Sequence, residues 1–457
     1  MVKKVVFVCL LSGLMIFQAA ASPKAESRSP VMRGNSGPVV SGPITGGERG
    51  WPFGAYFGDI KNVGYVEEEY FLEGVATRYS PEGELSTDGM WKLNPGSTGR
   101  YKTRILVRRP LEASKFNGTV ILEWANVSGG YEILMADSPG IYENGFAFVS
   151  VSAQPLGLVG FPSNPRGVIN WDRTRYGALS VPDEGVSYDI FTQAAKAVGP
   201  ERASFINGPD PMAGLAVKRL FGAGGSQSGS RIAAYINGVQ PITRTFDALL
   251  PFVNAGTASD FESAIAHPDR AAGQRTQTRT VFTKYREDSG AKVFTLNTES
   301  ETIYYSRNRQ PDTDNFRSWE IAGASHGPYR QMQFISQKTD REGLTNSIGN
   351  YPATRPSQVE YLYTIDAIYM HIQKWLDDGT PPPSFPVIQI AADNRDYVRD
   401  SYGNAVGGVR LPDLEVPIAR YGSRPGLPSL AGYTIPFSEA RLKELYPTHD
   451  GYVEKVT

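Results

Sequence analysis

Runs of apolar positions with two different periods recur along the chain and separate its strands from its helices. Tyr65 to Tyr79 and Tyr101 to Arg108 are predicted to open the fold as two extended antiparallel strands. Thr119–Trp124 and Phe146 to Ser152 are short, nearly continuous apolar runs, the pattern of strands covered on both faces. Tyr188 to Val198 has helical spacing: Ile190, Phe191, Ala194, Ala195 and Val198 share one face, and Gly199 follows as a capping glycine. Leu215 to Ala223 is a predicted strand and Ser230 to Asn237 a helix behind it. Phe246 to Phe252, Lys292 to Thr298 and the shorter Trp319 to Ala322 complete the predicted strands. Ser357 and Glu360 read as a capping box opening a helix whose Leu362, Ile365, Tyr369, Ile372 and Leu376 line one face. Gly379 and Pro381 to Pro383 stop it, and the chain from there to Thr457 reads as loop. Strands alternating with helices predict an α/β fold, a mostly parallel central sheet with helices on both faces. One domain is expected over residues 50–457, with cap-like insertions near 155–185 and 253–287 and a long C-terminal extension.

Composition narrows the class. The chain has 457 residues, of which 40% are hydrophobic and 20% charged, enough for a sizeable core. A net charge of −1 gives no reason to expect nucleic acid or an anionic membrane as partner. Lys3 and Lys4, the apolar run Val5 to Phe17 and Ala19-Ala20-Ala21 form the three parts of a signal peptide, residues 1–21, with cleavage expected after Ala21. The run is short against the roughly 20 residues of a bilayer crossing, so no membrane span is expected once it is removed. The mature protein is therefore expected to be secreted or periplasmic. Residues 22–49, rich in Pro, Gly and Ser, read as a flexible arm. Cys9 is the single cysteine and lies inside the signal peptide, which excludes disulfides, a cysteine nucleophile and thiolate-bound metal from the mature chain. No residues have metal-ligand spacing, and no cofactor is expected.

Acyl transfer needs a nucleophile, a base, a carboxylate to orient the base, and donors for an oxyanion. A serine on a sharp strand-to-helix turn supplies the first, provided the residues two before and two after it are small. In Gly224-Gly225-Ser226-Gln227-Ser228-Gly229 these are Gly224 and Ser228 around Ser226, with Ser228 as the rival nucleophile. A phosphate-cradling loop is excluded because no Lys-Ser or Lys-Thr pair closes the turn. Of four histidines, His326 follows the last predicted strand, where a general base belongs. His371 is expected on the polar side of its helix, His449 at the surface and His267 in an insertion. The acid should follow the penultimate strand, where Thr298-Glu299-Ser300-Glu301 offers Glu301, with Glu299 as the alternative. For the oxyanion, the Gln227 N–H is one expected donor, and Asn126 or Val127 N–H the second. Trp124, Leu156, Leu158, Val159 and Phe161 are candidate pocket contacts, with the insertions roofing the site.

Four stretches carry a family resemblance: Glu123-Trp124-Ala125-Asn126-Val127-Ser128-Gly129, Gly224-Gly225-Ser226-Gln227-Ser228, Trp319-Glu320-Ile321-Ala322-Gly323-Ala324-Ser325-His326 and Gly407-Gly408-Val409-Arg410-Leu411-Pro412. They resemble the bacterial, often exported, "alpha/beta hydrolase domain" family, from about Tyr65 to about Tyr421. The resemblance implies the α/β-hydrolase fold, with Ser226 as nucleophile and His326 as base. Members commonly have Thr-Glu-x-Asp where this chain has Thr298-Glu299-Ser300-Glu301, so the carboxylate is kept one methylene longer. The expected activity is hydrolysis of a small carboxylic ester through an acyl-enzyme. An amidase, lactonase or acyltransferase would use the same residues. A carbohydrate-active protein, suggested by 11% aromatics and the run Glu67-Glu68-Glu69, and a catalytically silent binding protein are the remaining readings, although the glutamate run is expected to be an exposed edge of its opening strand.

Overall fold

A computed structural model describes residues 37–261, 280–344, 356–423 and 430–457. The expected signal peptide, Cys9 and His267 lie outside them, as do most of the expected N-terminal arm and the middle of the expected second insertion.

Among the described residues the main sheet has nine strands: β1 (Val39–Ser41), β2 (Tyr65–Pro81), β3 (Leu93–Pro110), β4 (Thr119–Trp124), β5 (Ala147–Val151), β6 (Arg219–Gly225), β7 (Ala248–Phe252), β10 (Lys292–Thr298) and β11 (Phe316–Ile321). Their spatial order is β1-β2-β3-β5-β4-β6-β7-β10-β11. From β5 to β11 every pairing is parallel. The opening strands β1, β2 and β3 are joined antiparallel to one another and to β5. β8 (Thr257–Ser259) pairs with β9 (Thr280–Phe282), and β12 (Ala419–Gly422) with β13 (Tyr433–Pro436), as two separate ribbons. All six residues of β4 and all five of β5 are buried, because helices cover both faces. The helix Ser187–Val198 buries the apolar face read from its sequence, with Phe191 against Trp124 and Phe246. From β4 the chain goes to β5 on one side, then returns to β6 on the other. The strand order thus reverses between β4 and β5 on one side and β6 on the other, and in α/β sheets the carboxyl ends of the strands at such a reversal are where ligands bind.

Several expected boundaries move, each for a local reason. β6 starts at Arg219 rather than Leu215, because the Leu215 carbonyl is held by Arg202 Nη2 at 2.7 Å in the preceding turn. The helix after it starts at Gln227 rather than Ser230, because Ser226 is itself the cap residue. Ser357 and Glu360 do not cap the helix Leu362–Asp378, whose cap residue is Tyr361. Ser357 Oγ donates instead to Gly323 O at 2.7 Å, and Glu360 accepts from Gln331 N–H at 3.2 Å. The C-terminal extension is not all loop: it carries the β12–β13 ribbon and the helices Glu439–Leu445 and His449–Val456. The end of the expected arm is bound to the sheet, with Val40 N–H on Asn207 O at 2.7 Å and β1 paired to β2.

Glu67-Glu68-Glu69 is not a solvated edge. Strand alternation sends Glu67 and Glu69 to one face of β2, where arginines of β3 meet them. Arg104 reaches Glu69 at 2.5 Å and Glu132 at 2.7 Å, and Arg175 reaches Glu69 at 2.6 Å. Arg108 bonds Glu67 and Asp137, both at 2.7 Å. The Arg104 and Arg108 side chains are at most 2% exposed. Removing one partner from such a cluster strands the others without compensation. Arg104→Ala is therefore expected to destabilise the fold by about 3–5 kcal/mol in a denaturant titration, whereas a surface pair such as Arg441–Glu444 contributes far less.

Candidate active site

Ser226 ends β6 and begins the helix Gln227–Ala234 with φ 59° and ψ −118°. Positive φ is rare for a residue with a side chain and costs on the order of 1–3 kcal/mol. The neighbours show what holds it. Ser226 N–H donates to Phe252 O on β7 at 3.0 Å. A Cβ at Gly224 would lie 2.7 Å from Ser228 O and 2.8 Å from Ile232, and one at Gly229 would lie 2.8 Å from Phe252 O. The second obligatory glycine of this turn is thus Gly229, one place later than the usual pattern, and Ser228 fits at the intervening position. Ser228 is fully buried, and its Oγ donates to Gly225 O at 2.9 Å. The rival serine is therefore a bracing group inside the elbow.

The capping of the next site helix aims the carboxylate. Thr298 ends β10 and caps the helix Glu299–Tyr305 in a capping box with Glu301. Glu301 Oε2 accepts from Thr298 N–H at 3.0 Å and from Thr298 Oγ1 at 2.6 Å. This leaves Oε1 for His326 Nδ1, 2.7 Å away. The pair is largely sheltered, with side chains 15% exposed for His326 and 6% for Glu301. His326 N–H donates to Ser300 Oγ at 2.9 Å, fixing the loop after β11. With Nδ1 engaged, Nε2 is the ring nitrogen left for a hydroxyl. Ser226 lies at the same end of the sheet without a direct hydrogen bond to His326.

Glu299 is not at the histidine ring. Its Oε1 accepts from Gly323 N–H at 2.6 Å, and its Oε2 from Ser423 N–H at 3.1 Å and Arg399 Nη1 at 3.2 Å. Burial pushes its carboxyl up, and Arg399 opposes that shift. The pattern Thr-x-x-Glu at 298–301 is the sequence signal that separates the two glutamates, since only Glu301 stands at the capping-box position.

The loop after β4 is tied to the elbow differently from expectation. Asn126 N–H donates to Ile133 O at 3.0 Å and is not offered to an oxyanion. Its side chain clamps the elbow instead, with Nδ2 on Gly225 O at 2.9 Å. Val127 N–H points at Gln227 Oε1 over a long 3.3 Å, so this donor lies beside the elbow. Gln227 Nε2 rests on Gln154 Oε1 at 3.0 Å, which also accepts from Trp124 Nε1 at 2.9 Å. Gln154 continues to Glu184 and Arg231, a buried polar chain that sequence spacing did not disclose. Trp124 is a core residue packed on Tyr188 and Phe191, not a pocket wall, and Leu158 also belongs to the core. Leu156 is buried, Val159 is exposed, and Phe161 packs over Gly130. His371 is half-buried rather than fully solvated: its ring meets Trp319 edge-on at 5.6 Å, and partial burial lowers its pKa. His449 is exposed as expected.

Glu123, the first residue of the Glu-Trp-x-Asn-Val block, is fully buried beneath this loop. Its Oε1 accepts Met135 N–H at 2.5 Å and Ala136 N–H at 3.0 Å, while Oε2 has no partner among the described residues. Burial pushes its carboxyl from 4.5 up to about 8. A carboxyl raised on folding costs stability as pH climbs from its unfolded pKa to its folded one, and the cost is complete above that. Glu123→Gln keeps the oxygen that accepts both N–H groups. Its melting temperature relative to the parent is expected to rise between pH 5 and pH 9; a pH-independent difference would contradict the buried-acid description. For the elbow, Ser228→Ala is expected to lose about 1 kcal/mol of stability and keep its activity within a few-fold. Gly224→Val is expected to lose both.

The alpha/beta hydrolase domain model matches residues 40–457. No curated protein matches the chain. Among solved structures it is similar to esterase Est22 at 12% identity, over 57% of this chain and 74% of that one, with a TM-score of 0.30. It is similar to XC6422 from Xanthomonas campestris, described as an a/b serine hydrolase without lid, at 11% identity, over 59% and 90%, with a TM-score of 0.29. A structure from a study of two fungal esterases from Rhizomucor miehei matches at 11% identity, over 68% and 83%, with a TM-score of 0.32. The family match spans nearly the whole described chain, and the sheet order and strained elbow agree with it: this chain belongs to the alpha/beta hydrolase domain family.

Proposed function

We propose that the protein is a serine hydrolase that cleaves small carboxylic esters through an acyl-enzyme, and that it acts after export to the periplasm or the medium. The observation that carries the reading is the 2.7 Å Glu301–His326 pair at the sheet end that also bears the strained Ser226. His326 Nε2 takes the Ser226 proton as Oγ attacks the acyl carbon, and Glu301 holds the ring and stabilises the imidazolium. Hydrogen bonds of this kind tighten when substrate binds. The oxyanion takes the Gln227 N–H at the helix start and the Val127 N–H, which gives up its long bond to the Gln227 side chain. Collapse expels the alcohol with the proton from His326. Water, deprotonated by His326, then attacks the acyl-Ser226 ester, and His326 returns that proton to Ser226 Oγ as the acid leaves. Export is supported by Lys3, Lys4 and the apolar run that follows them.

Hydrolysis of p-nitrophenyl acetate and butyrate tests the assignment. Ser226→Ala and His326→Ala are each expected to lower kcat by at least roughly 10^4-fold, and Glu301→Gln by about 10^2- to 10^4-fold. Near-parental turnover in Ser226→Ala would remove this serine as nucleophile.

A further inference from the structure

The loop carrying His326 receives almost all of its support from elsewhere in the chain, and much of it from the C-terminal extension. Ser325 Oγ donates to Ala431 O at 2.8 Å, and Gly327 N–H to Leu430 O at 3.0 Å, so the extension grips the residues on both sides of His326. Val409 pairs with Ile321 at the end of β11, just before the loop begins. Two further supports come from the helix Glu299–Tyr305 and pass through it to the extension. Ser300 Oγ accepts the His326 N–H at 2.9 Å and donates to Ser423 Oγ at 2.8 Å. Glu299 accepts Gly323 N–H on one oxygen and Ser423 N–H with Arg399 on the other.

From this arrangement we infer that Glu299 with Arg399, together with the Ser300–Ser423 hydroxyl pair, is a positioning unit that sets the His326 loop against Glu301 and Ser226. The inference rests on the proposed role of His326 as base. A positioning group acts through the residue it holds, and displacement of a catalytic group by about 1 Å costs on the order of 100-fold in rate. Glu299 suits the task because both its oxygens are consumed by donors on different segments, the histidine loop on one side and the extension on the other. An ion pair serving stability alone would not need to bridge them.

The test uses the full-length mature chain and p-nitrophenyl butyrate, with kcat, KM and melting temperature measured for each variant. Glu299→Gln keeps the shape, yet in either flip its amide NH2 faces a donor, Gly323 N–H or the Ser423 and Arg399 pair. It is expected to lower kcat by roughly 10- to 100-fold with KM changed less than about twofold. Ser423→Ala removes the acceptor that holds Ser300 Oγ and is expected to lower kcat about three- to tenfold. Ser423→Thr, which restores a hydroxyl, is expected to recover most of that loss. A folded Glu299→Gln protein with parental kcat overturns the inference. If Glu299→Gln does not fold, Ser423→Ala decides: a loss rescued by threonine supports the positioning unit, and unchanged kcat overturns it. The His326→Ala control separates the two levels. Full activity in His326→Ala removes the base assignment and this inference with it, whereas an inactive His326→Ala beside a fully active Glu299→Gln removes only the positioning role.

Discussion

The local constraint on which the site depends is the backbone of Ser226, held at φ 59° where a side chain is disfavoured. The conformation stands because several parts of the fold converge on it. β7 supplies the Phe252 carbonyl for the Ser226 N–H, and Gly224 and Gly229 clear the space for the turn. The Gly225 carbonyl is held from two sides, by Ser228 Oγ and Asn126 Nδ2. Each of these bonds lies in a buried setting, where leaving a donor or acceptor unmade costs more than the bond itself contributes. Strain at one residue is thus distributed over β4, β6 and β7 and the helix behind them. The product is a serine held at the carboxyl end of β6, beside the reversal of strand order.

Much of this was legible in the sequence, for identifiable reasons. β4 and β10 have the predicted bounds because they are short apolar runs covered on both faces. The order serine, glutamate, histidine along the chain matched the strand ends that carry them. What was misread involves side chains whose partners are remote in sequence. Ser357 and Glu360 have capping-box spacing, yet their bonds go to Gly323 and Gln331 across the loop, and tertiary contacts prevail over the local pattern. Asn126 looked like a source of a backbone donor, but its N–H closes a bridge with Ile133 and its side chain does the bracing. Trp124 could be read as pocket or core, and only the packing of Tyr188 and Phe191 around it decides for core. The charged run at Glu67 to Glu69 was illegible for a similar reason, since Arg104, Arg108 and Arg175 come from outside it.

The two glutamates after β10 show how neighbouring carboxylates acquire separate tasks. Glu301 is turned by the capping box towards the histidine ring, while Glu299 is turned away into the junction with the extension. The stretch Gly407 to Pro412, distinctive in sequence without an obvious purpose, lies along the end of β11 at that junction. Gly408 is required there because a Cβ would meet Glu320 O at 2.6 Å. The extension is therefore part of the scaffold around the histidine loop rather than an appendage to the hydrolase core.

The most direct measurement of the central claim is the site of covalent modification by a fluorophosphonate. The mature protein is reacted to completion, digested and mapped by tandem mass spectrometry. A single adduct on Ser226 is expected, formed at a rate that falls with loss of His326. An adduct on Ser228 or on any other serine, or an unmodified protein that still hydrolyses esters, would contradict it.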